Sequence, residues 1–538
     1  PERQWFNKYV VTSVTATDRT GGAPDQVTTY QYLGGAAWHY DDDDGLTKEK
    51  FKTWSQWRGY GQVRVQTGGQ GGASAMKTQE DTYFLRGMDG DRKDTSGGTK
   101  SVTVTLEDGE GDPITDHESA AGFAYKTVSY SGPGGKILAK TVNRPWHHQT
   151  AKKVRSWGTV TANFTGTKSS KTWTSLDDGA GAKWRITETH NEFDTVAGRV
   201  TQVDDRGDVS TATDDICTRT TYATNTADNI LTLPSREEKV SKACSASVSR
   251  PADVMSDVRT AYDGGAYDAV PTKGDATASA VLKQYNGTTA VYLESGTTYD
   301  AYGRELTSTD LTANVTVTDT GVLTRTARTD GRTTTTEYTP ATGFATTVKV
   351  TTPPAKAGDA TTAQTTTTIQ DIFRGLPQKQ IDTNNNAVDF AYDALGRSTK
   401  VWLADRLTSQ TPTYQFTYTV TDGQPVAVGT KTLGNNGVQR TSYILYDGFL
   451  RPRQTQDPGP DGGRLLTDTF YDERGLKAKE FATYYTTGAP STTLFKPEDA
   501  LSVETQTRYT YDGLGRQTEV KQIAGNGDGG TVLGITKT

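Results

Sequence analysis

The chain has 538 residues, of which 33% are hydrophobic and 23% charged, and its formal net charge is -6 at pH 7. This balance disfavours a general nucleic-acid or anionic-membrane surface, because either would need a basic excess. Threonine supplies 95 residues and glycine 56, and both disfavour helix. The 26 Tyr, 14 Phe and 9 Trp are too many for a disordered chain. We therefore predict an all-β protein of many short strands, too long for one compact core.

The first predicted segment, residues 1–190, differs in composition from the rest. It contains eight of the nine Trp and all five His. Runs such as Tyr9 to Thr17 and Val154 to Phe164 are rich in strand formers, so we predict that this segment is also β. The chain begins at Pro1 without a charged and apolar leader. We expect a processed product or a piece of a longer protein, and its export stays open.

Trp54 and Trp57 are the candidate glycan-binding residues of this segment, because flat aromatic faces stack well on sugar rings. Packing of these rings between β layers is the alternative interpretation. No apolar run approaches the ~20 residues of a membrane-spanning helix.

Two acidic stretches are candidate cation loops. Asp41 to Asp44, followed by Gly45, is the densest run, and Asp89 to Asp91 is a looser one. Ca²⁺ prefers several oxygen ligands at alternating positions, but neither spacing matches an EF-hand. We interpret both as solvated turns, and cation binding at Asp41 to Asp44 stays open.

The histidines offer little evidence of chemistry. His147, His148 and His190 could meet across a sheet with Glu188 nearby, but adjacent histidines on a strand point to opposite faces. No nucleophile, zinc-protease or phosphate-loop motif accompanies them. We predict no catalytic residue, no metal site and no cofactor, so the chain is not expected to be an enzyme.

The second segment, residues 191–260, holds both cysteines, Cys217 and Cys244. One disulfide between them would close a loop of about 28 residues and stabilise the fold by roughly 3–4 kcal/mol. Two reduced cysteines are the alternative. A zinc site is disfavoured, because two sulfurs without a neighbouring histidine are too few ligands.

The third segment, residues 261–538, carries an internal repeat. Three close copies read Tyr-Asp, two variable residues, Gly and Arg, and two looser copies lie between them. Worn copies give a unit of about 20–28 residues. The Thr-rich stretch Val315 to Thr368 still alternates, so we interpret it as strands. The predicted turn residues are Tyr299, Asp300, Gly303, Arg304, Tyr392, Asp393, Gly396, Arg397, Tyr446, Asp447, Tyr471, Asp472, Gly475, Tyr511, Asp512, Gly515 and Arg516.

Each repeat predicts one hairpin. Residues before the motif alternate, as in Thr413 to Val420, which is the period-2 signature of a strand. Tyr ends the strand on its packed side, Asp bonds the turn backbone, Gly supplies a positive φ and Arg opens the next strand. The chain is therefore predicted to build a long antiparallel ribbon of stacked hairpins.

The repeat resembles the YD repeats of Rhs proteins, which include bacterial polymorphic toxins, Tc toxin B and C components, wall-associated bacterial proteins and the animal teneurins. Phe6 to Thr12, Thr29 to Tyr32 and Trp54 to Val63 resemble the segment that precedes those repeats in Tc B components. The resemblance implies a ribbon that spirals into a hollow shell around a retained C-terminal toxin segment.

One feature departs from that family. Its core ends in an Asp-Pro-x-Gly signature that cleaves itself, whereas here only Asp457 to Gly459 is similar, and further repeats follow it. We interpret Asp457 as a turn residue. Plug, cargo and protease are then expected downstream or on a partner chain.

The resemblance favours a structural function. We hypothesise an encapsulating shell of a secreted or surface-delivered bacterial toxin system, whose partner is a toxin cargo or a complementary shell chain. The alternative is a secreted or wall-associated adhesion protein that binds a cell-surface glycan or receptor. Neither hypothesis requires nucleic acid, a cofactor or a membrane span.

Overall fold

The computed structural model describes residues 5–41, 46–155, 158–404, 406–498 and 502–538. Short 3-10 helices within them are Glu49–Phe51, Gly72–Ala75, Glu118–Ala120, Ala360–Thr362 and Pro460–Gly462. The strands are β1 (Ser13–Ala16), β2 (Gln26–His39), β3 (Gln56–Gly68), β4 (Met76–Phe84), β5 (Arg92–Asp94), β6 (Gly97–Thr99), β7 (Thr103–Val104), β8 (Ile114–Thr115), β9 (Ala124–Tyr130), β10 (Ile137–Arg155), β11 (Gly158–Ser175), β12 (Trp184–Phe193), β13 (Val200–Asp208), β14 (Ile216–Asn225), β15 (Ile230–Val240), β16 (Val254–Tyr262), β17 (Ala276–Asn286), β18 (Thr289–Tyr299), β19 (Glu305–Val317), β20 (Leu323–Ala327), β21 (Thr333–Thr339), β22 (Thr347–Thr351), β23 (Thr365–Gln370), β24 (Pro377–Ile381), β25 (Ala387–Tyr392), β26 (Ser398–Trp402), β27 (Tyr414–Thr419), β28 (Val426–Leu433), β29 (Gln439–Tyr446), β30 (Pro452–Pro458), β31 (Arg464–Tyr471), β32 (Lys477–Thr486), β33 (Thr505–Tyr511), β34 (Gln517–Ala524) and β35 (Val532–Lys537).

The predicted all-β ribbon is confirmed. In the described part of the chain, 31 strands form one antiparallel sheet, and almost every strand pairs with the next one in sequence. β4 skips to β9 because β5 to β8 form two small separate sheets. β19 is long enough to pair with both β20 and β21. No register joins β1 to β35 among these residues, so the sheet is not closed through its edges.

Alternation along each strand decides which face is covered. In β18, Ala290, Tyr292 and Glu294 are buried while the residues between them are half-buried. Buried apolar residues collect in separate small clusters, one around Tyr292 and Val315 and another around Leu466 and Phe481. The low apolar content of the chain therefore suits a thin wall with local packing on one face.

The two predicted composition boundaries fall inside strands. Residue 190 lies in β12 and residue 260 in β16, and the sheet continues through both. The division into segments stays a prediction about composition. Among the described residues, no helix is long and apolar enough to cross a membrane.

The sheet curls until late hairpins lie against early ones, and we call this contact the seam. Gly448 lies in the turn between β29 and β30, and Asp18 lies between β1 and β2. The N–H of Gly448 donates to Asp18 Oδ1 at 2.9 Å. Glu473, in the turn between β31 and β32, lies 3.5 Å from Lys77 Nζ at the start of β4. The next hairpin, between β33 and β34, also belongs to the seam. Its Gly513 approaches Ser131, between β9 and β10, so closely that a Cβ atom at Gly513 would lie 2.6 Å from the carbonyl carbon of Ser131.

Asp18 is the most connected residue of the seam. It is 7% exposed, and its carboxylate also accepts from the N–H groups of Thr20 at 2.8 Å and Gly22 at 2.9 Å. Burial opposes ionisation, but the hydrogen bonds from Thr20 and Gly448 outweigh it and lower the pKa of Asp18. One ionised carboxylate thus joins parts of the chain that are distant in sequence.

Candidate functional site

The turns of the repeat are organised around an aspartate. Asp393 Oδ1 accepts from the N–H groups of Leu395 at 2.9 Å and Arg397 at 3.0 Å, and its Oδ2 accepts from Arg397 Nε at 2.6 Å. Exclusion of water opposes ionisation, but these bonds from Arg397 prevail and lower the pKa of Asp393. The same arrangement recurs at Asp300, Asp447 and Asp512.

The looser copy at Asp472 changes one partner. Its Oδ1 accepts from the N–H groups of Arg474 and Leu476, both at 2.9 Å, but the guanidinium that reaches its Oδ2 comes from Arg474 within the turn. Leu476 occupies the position that Arg holds elsewhere. The carboxylate therefore keeps a guanidinium partner although the arginine has moved.

The glycine of the motif adopts a left-handed conformation. The φ angles are 74° at Gly303, 79° at Gly396, 83° at Gly475 and 78° at Gly515. Leu450 occupies this position in the fourth copy with a φ of 59°. The turn geometry is thus kept even where the sequence lacks glycine, at a cost in backbone strain.

The tyrosine of each copy ties one hairpin to its predecessor. Tyr392, at the end of β25, donates from its hydroxyl to the carbonyl of Pro377 at the start of β24, at 2.7 Å. Tyr299, Tyr471 and Tyr511 reach the first residue of the preceding strand in the same way, at 3.1, 3.0 and 2.8 Å. Tyr446 ends β29 at the corresponding position.

The arginine continues this connection to the next hairpin. The guanidinium carbon of Arg397 lies 4.4 Å from the ring centroid of Tyr418, and that of Arg451 lies 4.1 Å from Tyr471. Arg304 likewise covers Tyr338 at 4.3 Å. Each such contact is worth about 0.5–1 kcal/mol at an exposed site. Tyrosine and arginine together link successive hairpins at the ends of their strands, and we call this row of contacts the hairpin ladder.

The repeat motif does not reveal an earlier member of the ladder, which lies in the turn between β12 and β13. Asp194 accepts from the N–H groups of Val196 and Ala197 and from Arg199 Nε, and Gly198 has a φ of 67°. Arg199 lies 4.4 Å from the ring of Tyr222. Phe193 replaces the tyrosine and the turn is one residue longer, so a search for Asp and Gly-Arg without the leading Tyr would have found it.

The chain thus forms a thin antiparallel sheet that is wound back on itself, with successive hairpins linked by the hairpin ladder. No family model and no curated protein matches the sequence. Solved structures do match. The TcdB2-TccC3 complex with Cdc42 has a TM-score of 0.59 at 12% identity, over 92% of this chain. The Photorhabdus luminescens Tc holotoxin pore has a TM-score of 0.61 at 12% identity, over 93% of this chain.

The fold is that of these Tc toxin chains. A third solved structure, TcdB2-TccC3 without its hypervariable C-terminal region, agrees with a TM-score of 0.59 at 12% identity, over 93% of this chain. The chain spans 32% of the length of each of these solved chains. The Tc-like fold therefore covers nearly all of this chain, whereas this chain matches only part of each of those longer chains.

The two cysteines form the predicted disulfide. Cys217 lies in β14 with no exposed surface, and Cys244 lies in the loop between β15 and β16. The N–H of Cys244 donates to Asp204 at 2.8 Å and its carbonyl accepts from Arg219 at 2.9 Å. The bond thus fastens this loop across the face of three strands.

Trp54 and Trp57 belong to different aromatic groups. Trp54 packs edge-on against Tyr40 at 5.1 Å, and its indole N–H donates to the carbonyl of Arg92 at 3.2 Å. Trp57 lies between Trp38 at 4.9 Å and Tyr60 at 5.4 Å. Both are half-buried. Trp54 is therefore fixed by one ring contact and one hydrogen bond. Trp57 is the middle one of three neighbouring rings, Trp38, Trp57 and Tyr60.

The acidic loops differ in what the structure describes. Asp42 to Asp44 lie outside the described residues. Asp91 is buried, accepts from the N–H of Tyr40 at 2.9 Å and pairs with Lys100 at 2.5 Å. Asp89 accepts from the N–H of Val102 at 2.8 Å. Within the described ranges, no group of three or more His, Cys, Asp or Glu is placed to hold a metal ion.

The histidines of β10 face opposite sides, as alternation predicts. His147 stacks on His117 with ring centroids 3.9 Å apart, while His148 lies on the side of Trp146. Burial, and then the charge of His117, lower the pKa of His147. His190 pairs instead with Glu188 at 3.2 Å. These side chains therefore do not converge on one site.

Asp457 is not in a turn. It lies near the end of β30 and pairs with Leu465 of β31. The turn follows at Gly459, whose N–H donates to the carbonyl of Gly463 at 2.8 Å. The Asp-Pro-Gly sequence predicts a turn close to the observed one. Strand pairing nevertheless continues through Asp457 and Pro458, so the turn begins two residues later than turn propensity suggests.

Proposed function

We propose that this chain is a wall segment of an encapsulating shell in a bacterial toxin complex, and that it has no catalysis of its own. The observation that carries the proposal is the single sheet that winds back on itself and meets its own start at the seam. The Tc-like fold supports the same reading, because it comes from toxin-complex chains.

The mechanism is encapsulation by a wall with few free edges. Most strands of the sheet pair with a strand on each side, so the wall presents little unpaired edge to other chains. The hairpin ladder holds neighbouring hairpins together at their strand ends. The seam holds the late hairpins of the wound sheet against the early ones. Such a wall can separate an unfolded or toxic polypeptide from the cell that produces it.

We infer that the partner is a toxin segment or a complementary shell chain. The solved structures with this fold contain TcdB2 together with TccC3. We further propose an extracellular location, which the buried disulfide supports because such bonds persist in oxidising compartments.

Small-angle scattering tests the shape that the proposal requires. A compact globule of this length would have a radius of gyration of about 24 Å. A wall around a cavity should exceed that value and show an internal density minimum. A compact, solid particle would contradict encapsulation.

Protection of a partner is the functional test. Co-expression with a toxin segment should yield a complex in which the segment resists added protease until the shell is denatured. A segment that is cleaved as fast in the complex as alone would overturn the proposal.

Glycan binding is the second candidate function, and the row formed by Trp38, Trp57 and Tyr60 is the observation that favours it. A glycan array should then show specific binding that Trp57→Ala abolishes. Trp54→Ala, a change in the other aromatic group, should have less effect. Absence of specific binding by the unmodified chain contradicts this candidate.

A further inference from the structure

An extended segment crosses the covered face of the sheet without becoming a strand. It comprises residues 489–497, between β32 and β33, and we call it the strap. The strap is held to the sheet by side chains of β30 and β31. Its own residues are exposed or half-buried, whereas Gln454 and Gln456 of β30, which hold it, are buried.

Two glutamines of β30 bind the strap through its backbone. Gln454 donates from Nε2 to the carbonyl of Phe495 at 2.8 Å and accepts from the N–H of the same residue at 3.0 Å. Gln456 donates to the carbonyl of Thr493 at 2.8 Å and accepts from the N–H of Ser491 at 2.8 Å. Each amide thus makes the two bonds that a neighbouring strand would make.

The glutamines are held by groups of the sheet as well as by the strap. With the strap in place both are almost completely buried, at 1% exposure for Gln454 and 0% for Gln456. Gln454 Nε2 also donates to Asp468 at 3.0 Å, and Gln456 Nε2 donates to Gln454 Oε1 at 2.8 Å. Tyr484 donates to the other oxygen of Asp468 at 2.7 Å. A site held in this way loses little side-chain entropy on binding.

One side chain of the strap enters a pocket. Phe495 packs against the apolar cluster that contains Leu466, Phe481 and Tyr484, with the Tyr484 ring centroid 6.4 Å away. The guanidinium carbon of Arg464 lies 4.9 Å from the Phe495 ring. The strap is therefore recognised by its backbone and by one aromatic ring.

The same device occurs further along the row. Gln454 is aligned across the strands with Asp468, Phe481 and then Gln506 of β33. Gln506 Nε2 donates to the carbonyls of Gly525 and Gly527, both at 2.8 Å. Backbone binding by buried glutamines is thus a repeated property of this face.

We propose that Gln454, Gln456 and the pocket around Phe495 form a binding site for an extended polypeptide with one aromatic side chain, which the strap occupies in cis. The occupant that we assign in trans is a segment of the encapsulated polypeptide. Bonds to backbone atoms suit a chain of varied sequence, because every residue but proline offers the same donor and acceptor. Only the assignment of the natural occupant rests on the proposed function.

The test replaces residues 489–497 by a Gly/Ser segment of equal length and adds a fluorescent peptide with the sequence of residues 488–498. Fluorescence anisotropy should show saturable binding with a dissociation constant on the order of 100 μM. The unaltered chain should bind at least about tenfold more weakly, because its attached strap competes at an effective millimolar concentration.

Variants separate specific from adventitious binding. In the strap-replaced chain, Gln454→Leu with Gln456→Leu should weaken binding at least about tenfold. The matched control is Gln424→Leu, an exposed glutamine outside the site, which should leave the affinity unchanged. A peptide with Phe495→Ser should lose binding, whereas alanine at Ser491, Thr492 and Thr493 should change it less than about threefold.

The proposal is overturned if the peptide shows no saturable binding, or if the double leucine change leaves its affinity unchanged. If the strap-replaced chain does not fold, the full chain with Phe495→Ser serves instead, and it should bind the peptide more tightly than the unaltered chain. None of these readouts uses cargo or shell closure. Failure of the site is thus distinguishable from failure of encapsulation.

Discussion

A left-handed backbone residue sets the geometry of each turn in the hairpin ladder. Gly396 takes this conformation with a φ of 79°, and Leu450 takes it with a φ of 59° although its side chain is 66% exposed. A side chain in this region costs roughly 1–2 kcal/mol, because its Cβ approaches the backbone. The copy with Leu450 therefore carries backbone strain that the copy with Gly396 does not.

Gly396→Val should lower the free energy of unfolding by about 1–3 kcal/mol, because valine at positive φ is strained whatever space surrounds it. Thermal melting measures the loss. Ala394→Val, an exposed position in the same turn, is the control and should stay within about 0.5 kcal/mol. Equal melting of Gly396→Val and wild type would contradict the role assigned to the turn.

Leu450→Gly is the reciprocal change and should stabilise the chain by up to about 1 kcal/mol, since it removes strain and little buried surface. The entropy of glycine in the unfolded chain offsets part of the gain. Chemical denaturation of wild type and variant gives the difference directly. A marked loss of stability would show that Leu450 makes contacts that its exposure conceals.

At the scale of elements, loops are fixed by carboxylates. Asp263 accepts from the N–H groups of Thr272 at 2.6 Å, Lys273 at 2.9 Å and Asp275 at 2.9 Å, which closes the loop between β16 and β17. Burial opposes ionisation, but the backbone bonds from Lys273 and Thr272 outweigh it and lower the pKa of Asp263 to about 2. The charged form is therefore the one that the loop binds.

Asp263→Asn should cost about 1 kcal/mol at pH 7, because the amide offers one acceptor oxygen in place of two. The sign with pH follows from the lowered pKa. The carboxylate stabilises the fold above its unfolded value near 4 and loses this contribution as pH falls through about 2. Melting curves of the two proteins should thus converge in acid. A constant gap down to pH 2 would contradict the assignment.

The disulfide is a second fastening of a loop to the sheet. Reduction, or Cys217→Ser with Cys244→Ser, should lower the free energy of unfolding by roughly 3–4 kcal/mol, because the unfolded chain regains the freedom of a long loop. A thiol titration of the denatured, unreduced protein should find no free thiol. Two free thiols in that assay would contradict the bond.

The sequence predicts local elements of this fold well and distant contacts poorly. Asp, Gly and Arg within six residues determine a turn, so the hairpins at Gly396 and Gly515 could be assigned directly. Phe193 hid a further copy, because the search required tyrosine. Gln454 gave no signal at all, since its partner Phe495 lies far along the chain and is bound through backbone atoms that carry no sequence pattern.

At the scale of the whole molecule, the residue type that follows Tyr-Asp depends on whether the hairpin is exposed or lies at the seam. Ala301 and Ala394 occupy it in exposed turns. Glu473 occupies it where the partner is Lys77, at 3.5 Å. Glycine occupies it at Gly448 and Gly513, where another hairpin leaves no room for a Cβ atom. Variation that looks random along the repeat thus follows the seam.

Gly513→Ala tests this account, because a Cβ atom there would lie 2.6 Å from the carbonyl carbon of Ser131. The backbone must move apart, so we expect a loss of about 1–3 kcal/mol and faster amide hydrogen exchange in residues 131–136. The turn itself tolerates alanine, as Ala301 and Ala394 show, so the strain is confined to the seam. Ala394→Gly is the control and should cost no more than about 1 kcal/mol without altering that exchange. Unchanged exchange in residues 131–136 of Gly513→Ala would mean that the two hairpins do not meet in solution, and the winding of the sheet would have to be wider than the seam requires.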